Sequence, residues 1–161
     1  MPKAYLGLGA NLGQPAQQLS AALNALSQTP GLSLLAQSPL YRSAPLGPPG
    51  QPHYCNAACV VQSELAPGAL LARMIEIEQA AGRVRDGRRW GPRLLDLDLL
   101  HVEGVSCKST SLTLPHPEIG HRNFVLIPLA DVAPELEIPG LGRVRELAQA
   151  LGRAGLEPWT A

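Results

Sequence analysis

The run Leu94-Leu95-Asp96-Leu97-Asp98-Leu99-Leu100 constrains this chain more than any other segment. Its period of two fits a β-strand, in which residues i and i+2 share a face about 7 Å apart. Leu95, Leu97 and Leu99 then anchor one face to a core while Asp96 and Asp98 share the other. Two carboxylates this close repel, and burying them uncompensated is costly. A hard divalent cation relieves both problems, since Mg²⁺ is held by one or two carboxylates together with substrate phosphates. Taken alone, the D-x-D pattern fits a solvated strand face or pairing with nearby Arg equally well.

The segment upstream tips that balance. Gly82-Arg83-Val84-Arg85-Asp86-Gly87-Arg88-Arg89-Trp90-Gly91-Pro92-Arg93 holds five of the chain's eleven Arg and a single acid. Guanidinium forks match phosphate oxygens bidentately, and Trp90 can cover a flat ligand surface. Arg beside a pair of metal-binding carboxylates suits a polyphosphate, because each part neutralises a different portion of its charge. The net charge of zero, from 13 basic and 13 acidic groups, therefore conceals a strong local asymmetry. Residues 1–63 contain only Lys3 and Arg42 and no acid, so charge is concentrated around the Arg loop and the Asp strand. A neutral chain with one basic loop points to a small anionic ligand and away from a nucleic-acid or anionic-membrane partner.

The rest of the chain reads as one α+β domain over residues 1–161. A strand at Ala4–Gly9 leads to a helix opened by Pro15, with Leu19, Ala22, Leu23 and Leu26 on its buried face. One strand is expected over Leu32–Tyr41, an edge strand because of Pro39. The loop 44–52 follows, rich in proline, and then a strand at Tyr54–Gln62. Pro67 opens a second helix whose expected core stripe is Leu70, Leu71, Met74, Ile77 and Ala81, with Gly82 after its end. The strand Leu94–Val102 completes a β-α-β-β-α-β order, the ferredoxin-like arrangement of an antiparallel sheet flanked by helices. C-terminal additions comprise a loop at Leu114–Pro117 and helices at Phe124–Val132 and about Arg143–Arg153.

Several familiar sites are excluded. Gly7-Leu8-Gly9-Ala10-Asn11-Leu12-Gly13 has one residue too many for a dinucleotide fingerprint and lacks the acid expected downstream, so it reads as a tight turn. No Walker A loop is present. Cys55, Cys59 and Cys107 form no C-x-x-C pair and read as buried thiols of a reducing compartment. No run approaches the ~20 apolar residues of a membrane span, and no export signal is visible, so a cytoplasmic protein is expected. An RNA-binding module of the same topology would need strand aromatics, yet aromatic residues make up 4% of the chain. A Mg²⁺-dependent nucleotidyltransferase using the Asp strand is the alternative enzyme reading.

Other candidates lie on either side of the Asp strand. Tyr54 and Asn56 share one strand face and offer a stacking surface beside an amide, which suits a heteroaromatic ring with amino and oxo groups. His116, between Pro115 and Pro117, is positioned to donate to a phosphate. Arg122 precedes Phe124, the single Phe of the chain.

Taken together, Tyr41-Arg42-Ser43, Tyr54-Cys55-Asn56, Gly82-Arg83-Val84-Arg85, Arg89-Trp90-Gly91-Pro92-Arg93, Leu95-Asp96-Leu97-Asp98 and Leu114-Pro115-His116-Pro117 resemble the 6-hydroxymethyl-7,8-dihydropterin pyrophosphokinase family of folate synthesis. The resemblance implies transfer of the β,γ-diphosphate of ATP to the pterin hydroxymethyl oxygen, releasing AMP, with two Mg²⁺ as cofactors. By the same resemblance Asp96 and Asp98 are metal ligands, with Asp96 also on the pterin side. Tyr54 and Phe124 sandwich the pterin, Asn56 is its main hydrogen-bonding side chain, and the backbone at Ser43, Ala44 and Leu46 adds polar contacts. Arg83, Arg85, Arg89, Trp90 and Arg93 match a loop closing over ATP. His116 and Arg122 match triphosphate contacts, Leu99 and Thr113 the backbone beside adenine, and Glu78 a nucleotide-side position. Catalytic roles fall on Arg83, Arg85, Arg93, Asp98 and His116, with Asp98 the candidate for any general base. The loops 44–52 and 83–92 are expected to order on ligand binding. Ile75, Pro117 and Gly120 depart from residues that some members carry. The expected partners are the two small-molecule substrates, with no nucleic acid and no membrane, acting on a monomer.

Overall fold

The computed structural model describes residues 1–44, 52–82 and 95–160. β1 (Lys3–Ala10), α1 (Pro15–Gln28), β2 (Leu32–Gln37), β3 (Tyr41–Ser43), β4 (Tyr54–Ser63), α2 (Pro67–Ala80) and β5 (Asp96–Val102) follow in the expected order. β1 lies between β4 and β5, antiparallel to both, and β2 and β3 pair with the far edge of β4. Each helix thus joins two parallel strands separated by one antiparallel neighbour, the ferredoxin-like connection.

Both faces of the sheet are covered. Leu6, Leu8, Leu97 and Leu99 pack on one face with Leu19, Leu26, Leu70 and Met74 of α1 and α2. Tyr5, Tyr41, Val60 and Leu100 pack on the other with residues of α3 (Asn123–Val132) and α4 (Val144–Leu151). This third layer explains why β1 is buried from Ala4 to Ala10 with no alternation of exposure.

Four expectations are corrected. The strand expected over Leu32–Tyr41 is two strands, separated where Pro39 cannot donate to a ladder. Ser38 bridges the gap: its N–H donates to the Ala58 carbonyl at 2.8 Å, and its Oγ accepts from the Ala58 N–H at 2.9 Å. Of these two strands only β2 is an edge, because β10 (Leu156–Pro158) pairs with β3. In α2 the buried residues are Leu70, Met74 and Glu78, while Leu71, Ile77 and Ala81 are only partly covered. The last helix stops at Leu151, before Gly152 in the left-handed region (φ 75°). Of the loop expected over Leu114–Pro117, Leu114 instead ends a short strand, β7 (Thr113–Leu114), paired with β6 (Cys107–Lys108), while 115–117 carry no strand or helix. The helix with Pro128 forms as expected over Asn123–Val132; Pro128 supplies no N–H for the Phe124 carbonyl one turn earlier.

Candidate functional site

Register across three strands builds the site. Gly9 of β1 stands opposite Asn56 of β4 on one side and Asp96 of β5 on the other, and Gly7 stands opposite Asp98. Residues paired across strands share a face, so Asn56, Gly9 and Asp96 form a row in which the central position has no side chain. That missing side chain makes a trough. A Cβ at Gly9 would lie 3.2 Å from Asn56 Nδ2, so the strands hold the amide close over the glycine. Gly7 and Gly9 therefore belong to the strand and the site floor; within the motif read as a turn, Gly13 (φ 64°) is the residue that turns.

Above the trough lies a cavity of about 420 Å³ whose walls include Tyr54, Asn56, Asp96, Asp98, His116 and Phe124. Ser43 and Ala44 also line it, as do Glu118 and Arg122. Asn56 is buried, and its Oδ1 accepts a 2.5 Å hydrogen bond from Ser43 Oγ, which turns the amide N–H₂ group away from Ser43. Ser43 thus orients the amide through its side chain, beyond the backbone contact expected of it. The Arg122 guanidinium lies 5.7 Å from the centre of the Phe124 ring, which adds a cation to a lining that also holds Asp96, Asp98 and Glu118.

A second cavity, about 330 Å³, adjoins the first and is lined by Leu71, Ile75, Glu78, Leu99 and Thr113 among others. Asp98, His116 and Pro117 line both cavities and form the wall between them. In that wall His116 Nε2 is 4.0 Å from Asp98 Oδ1. The Glu118 N–H donates to His116 Nδ1 at 3.1 Å, so the proton of the neutral ring resides on Nε2, the nitrogen facing Asp98. The His116 backbone N–H donates to the Leu100 carbonyl at 2.8 Å, which fastens this segment to β5. Glu78 is buried at the end of α2, and its Oε2 accepts a 2.7 Å hydrogen bond from the N–H of Leu97, the residue between the two Asp.

The donor set suits a hard cation. Asp96 and Asp98 offer oxygen ligands on one face, and Asp98 keeps 44% of its side chain exposed, which leaves room for water and phosphate oxygens. Among the described residues no group of three or more His, Cys, Asp and Glu forms an all-protein cage. Two carboxylates with the remaining positions left to water and substrate is a Mg²⁺ arrangement, not a zinc one. Burial pushes the thiols of Cys55 and Cys59 up to about 12, which makes them unreactive.

The structure thus brings together Ser43, Ala44, Tyr54, Asn56, Asp96, Asp98, His116, Arg122 and Phe124 around one cavity and Glu78, Leu99 and Thr113 around the next. Leu46, Arg83, Arg85, Arg89, Trp90 and Arg93 lie outside the described residues. Gly7, Gly9 and Glu118 join the site without having been singled out. A Gly-x-Gly inside a strand was the available signal for the first two.

Known proteins share both the sequence and the fold. The 2-amino-4-hydroxy-6-hydroxymethyldihydropteridine pyrophosphokinase of Methylorubrum extorquens is 45% identical over 157 residues, covering 98% of each chain. The protein of the same name from Pseudomonas aeruginosa is 44% identical over 155 residues, 96% of this chain and 95% of its own. A crystal structure of an HPPK-DHPS in complex with substrates superposes with a TM-score of 0.76 over 98% of this chain, at 12% identity, so the likeness there is one of fold. This chain spans 48% of that one's length. A model of the 7,8-dihydro-6-hydroxymethylpterin-pyrophosphokinase (HPPK) family matches residues 5–134, from β1 to just past α3, and the chain belongs to that family of enzymes, the ATP-using pyrophosphokinases of folate biosynthesis.

Proposed function

We propose that the larger cavity takes 6-hydroxymethyl-7,8-dihydropterin, the smaller one takes the nucleoside of ATP, and the β,γ-diphosphate passes between them at the Asp98–His116 wall. The observation that carries this reading is the shared wall itself: two cavities of different chemistry meet at a carboxylate and an imidazole N–H. Tyr54 and Phe124 stack on the pterin faces, and Asn56, oriented by Ser43, reads its polar edge together with the backbone at Ala44 and Leu46. Leu99 and Thr113 flank adenine, with Glu78 on the nucleotide side.

Asp96 and Asp98 would hold two Mg²⁺, which would supply charge neutralisation for the triphosphate. His116 donates from Nε2 to a phosphate oxygen of the transferred group, in the tautomer that Glu118 selects. Arg122 meets the triphosphate at the cavity mouth. Arg83, Arg85, Arg89 and Arg93 bind the phosphates, with Arg85 and Arg93 on the charge that develops during transfer, and Trp90 covers the ligands. Phosphoryl-type transfer depends on such positioning and charge stabilisation more than on covalent participation by the protein. The enzyme acts as a cytoplasmic monomer; the lining of both cavities by residues of one chain and the buried thiols of Cys55 and Cys59 support this.

Product analysis tests the proposal. With ATP, Mg²⁺ and the hydroxymethyldihydropterin, AMP and the pterin diphosphate accumulate in equal amounts. Release of inorganic diphosphate with a nucleotidylated pterin would instead identify a nucleotidyltransferase.

A further inference from the structure

The outer strand of the pterin wall is gripped from behind by the C-terminal segment. β10 pairs with β3 so that Leu156, Glu157 and Pro158 stand opposite Ser43, Arg42 and Tyr41. The Trp159 N–H donates to the Leu40 carbonyl at 3.0 Å, extending the contact by one residue. Arg42 alternates with Tyr41 and Ser43 and so projects to the opposite face of the sheet. There its guanidinium sits 5.1 Å from the centre of the Trp159 ring, and its Nη2 donates to the Thr160 carbonyl at 3.0 Å. Arg42 Nε is buried and has no hydrogen-bond partner among the described residues, so the ring face is a principal compensation for this cation. On the other face, the Tyr41 hydroxyl bonds to the Asp131 carboxylate of α3, and Ser43 Oγ donates to Asn56 Oδ1.

We infer that Trp159 is a positioning residue for pterin recognition: by holding Arg42 it fixes the lateral position of β3, and through Ser43 the orientation of the Asn56 amide. The inference rests on the proposed assignment of the larger cavity to the pterin. The second cavity has no described lining residue on β3 or β10, so the effect falls on one substrate and not on both.

The test compares Trp159→Ala, Trp159→Phe and Asn56→Ala by KM for pterin, KM for ATP, kcat and thermal midpoint. Loss of a partly exposed cation–π contact weakens a coupled site by up to about fivefold, so Trp159→Ala raises the pterin KM by about that factor and moves the ATP KM by less than about twofold. Trp159→Phe keeps an aromatic face and returns the pterin KM to within about twofold of the parent. An unchanged pterin KM in Trp159→Ala overturns the inference. So does an equal rise in both KM values alongside a lower thermal midpoint, and so does a Phe variant no better than Ala. If Trp159→Ala does not fold, Trp159→Leu replaces it under the same criteria. Asn56→Ala separates the two levels. If it leaves the pterin KM unchanged, the cavity assignment falls and the role of Trp159 with it. If it raises that KM while Trp159→Ala does not, only the role of Trp159 falls.

Discussion

His116 Nε2 faces Asp98 Oδ1 across 4.0 Å, at the one wall that the two candidate substrate cavities share. The separation exceeds a direct hydrogen bond, leaving both groups positioned for a phosphate oxygen or a cation between them. The Glu118 N–H on Nδ1 completes the arrangement by assigning the ring proton to Nε2.

Replacing either partner separates their contributions. His116→Ala removes one donor to a charged group and lowers kcat by about 10- to 100-fold, with the pterin KM little changed. Asp98→Ala removes a metal ligand and abolishes most turnover, and added Mg²⁺ does not restore it. Because Asp98 is half-exposed beside another carboxylate, its loss leaves the thermal midpoint unchanged or slightly higher. Near-parental turnover of Asp98→Ala at saturating Mg²⁺ contradicts its role as a ligand.

The glycine trough gives a paired substitution. At Gly9 an added methyl lies 3.2 Å from Asn56 Nδ2, tighter than ordinary contact, whereas at Gly7 it lies 3.6 Å from Leu100 carbons. Gly9→Ala therefore displaces the Asn56 amide and raises the pterin KM by about tenfold or more, the cost of one misaligned hydrogen bond. Gly7→Ala has its methyl at normal van der Waals distance and changes the pterin KM far less. Steady-state kinetics on both variants, with ATP held saturating, checks the order.

Glu78 connects α2 to the strand that carries both Asp. Its carboxylate accepts from the buried Leu97 N–H on the side of β5 away from β1, so Glu78→Ala leaves that donor without its acceptor and costs about 1–3 kcal/mol. Glu78→Gln keeps a carbonyl oxygen and recovers most of this. Amide hydrogen exchange at Leu97 gives the direct readout: faster in the Ala variant, near-parental in the Gln variant.

His101 supplies a pH dependence. It is buried and stacked on Tyr5 with ring centres 6.2 Å apart, and its Nδ1 has no partner among the described residues. Burial lowers its pKa below the ordinary 6.5, and Glu103 opposes that shift less strongly. Below pH 6.5 the unfolded chain therefore binds a proton more readily than the native protein does, and stability is lost as the pH falls through that value toward the native pKa. Denaturant titrations of the parent and His101→Phe, which keeps the stack, should diverge between pH 7 and pH 5, with the variant losing less stability.

How much of this was readable in the sequence follows the range of each interaction. The Asp96/Asp98 face, the buried stripe of α1 and the helix with Pro128 are properties of consecutive residues, and period and composition expressed them correctly. Tyr54 and Asn56 were placed on one face by the same rule. Leu71 was misread as core because its stripe position is apolar, yet it faces the second cavity. Glu78 was not foreseen as buried, because its acceptor role depends on the edge of a strand from another part of the chain. Gly7 and Gly9 lie in the strand expected over Ala4–Gly9, but their use as a site floor is not set by the sequence order because it depends on what stands beside them.

The sequence by itself determined the local elements and the chemistry available to them: carboxylates on one strand face, an aromatic and an amide on another, and a histidine between prolines. Only the tertiary structure decided that Gly9 lies between Asn56 and Asp96, that His116 faces Asp98, and that a C-terminal strand and Trp159 support β3. Those relationships arise from strand register and from packing of a third layer, which join residues distant in the chain and leave no periodic trace in its order.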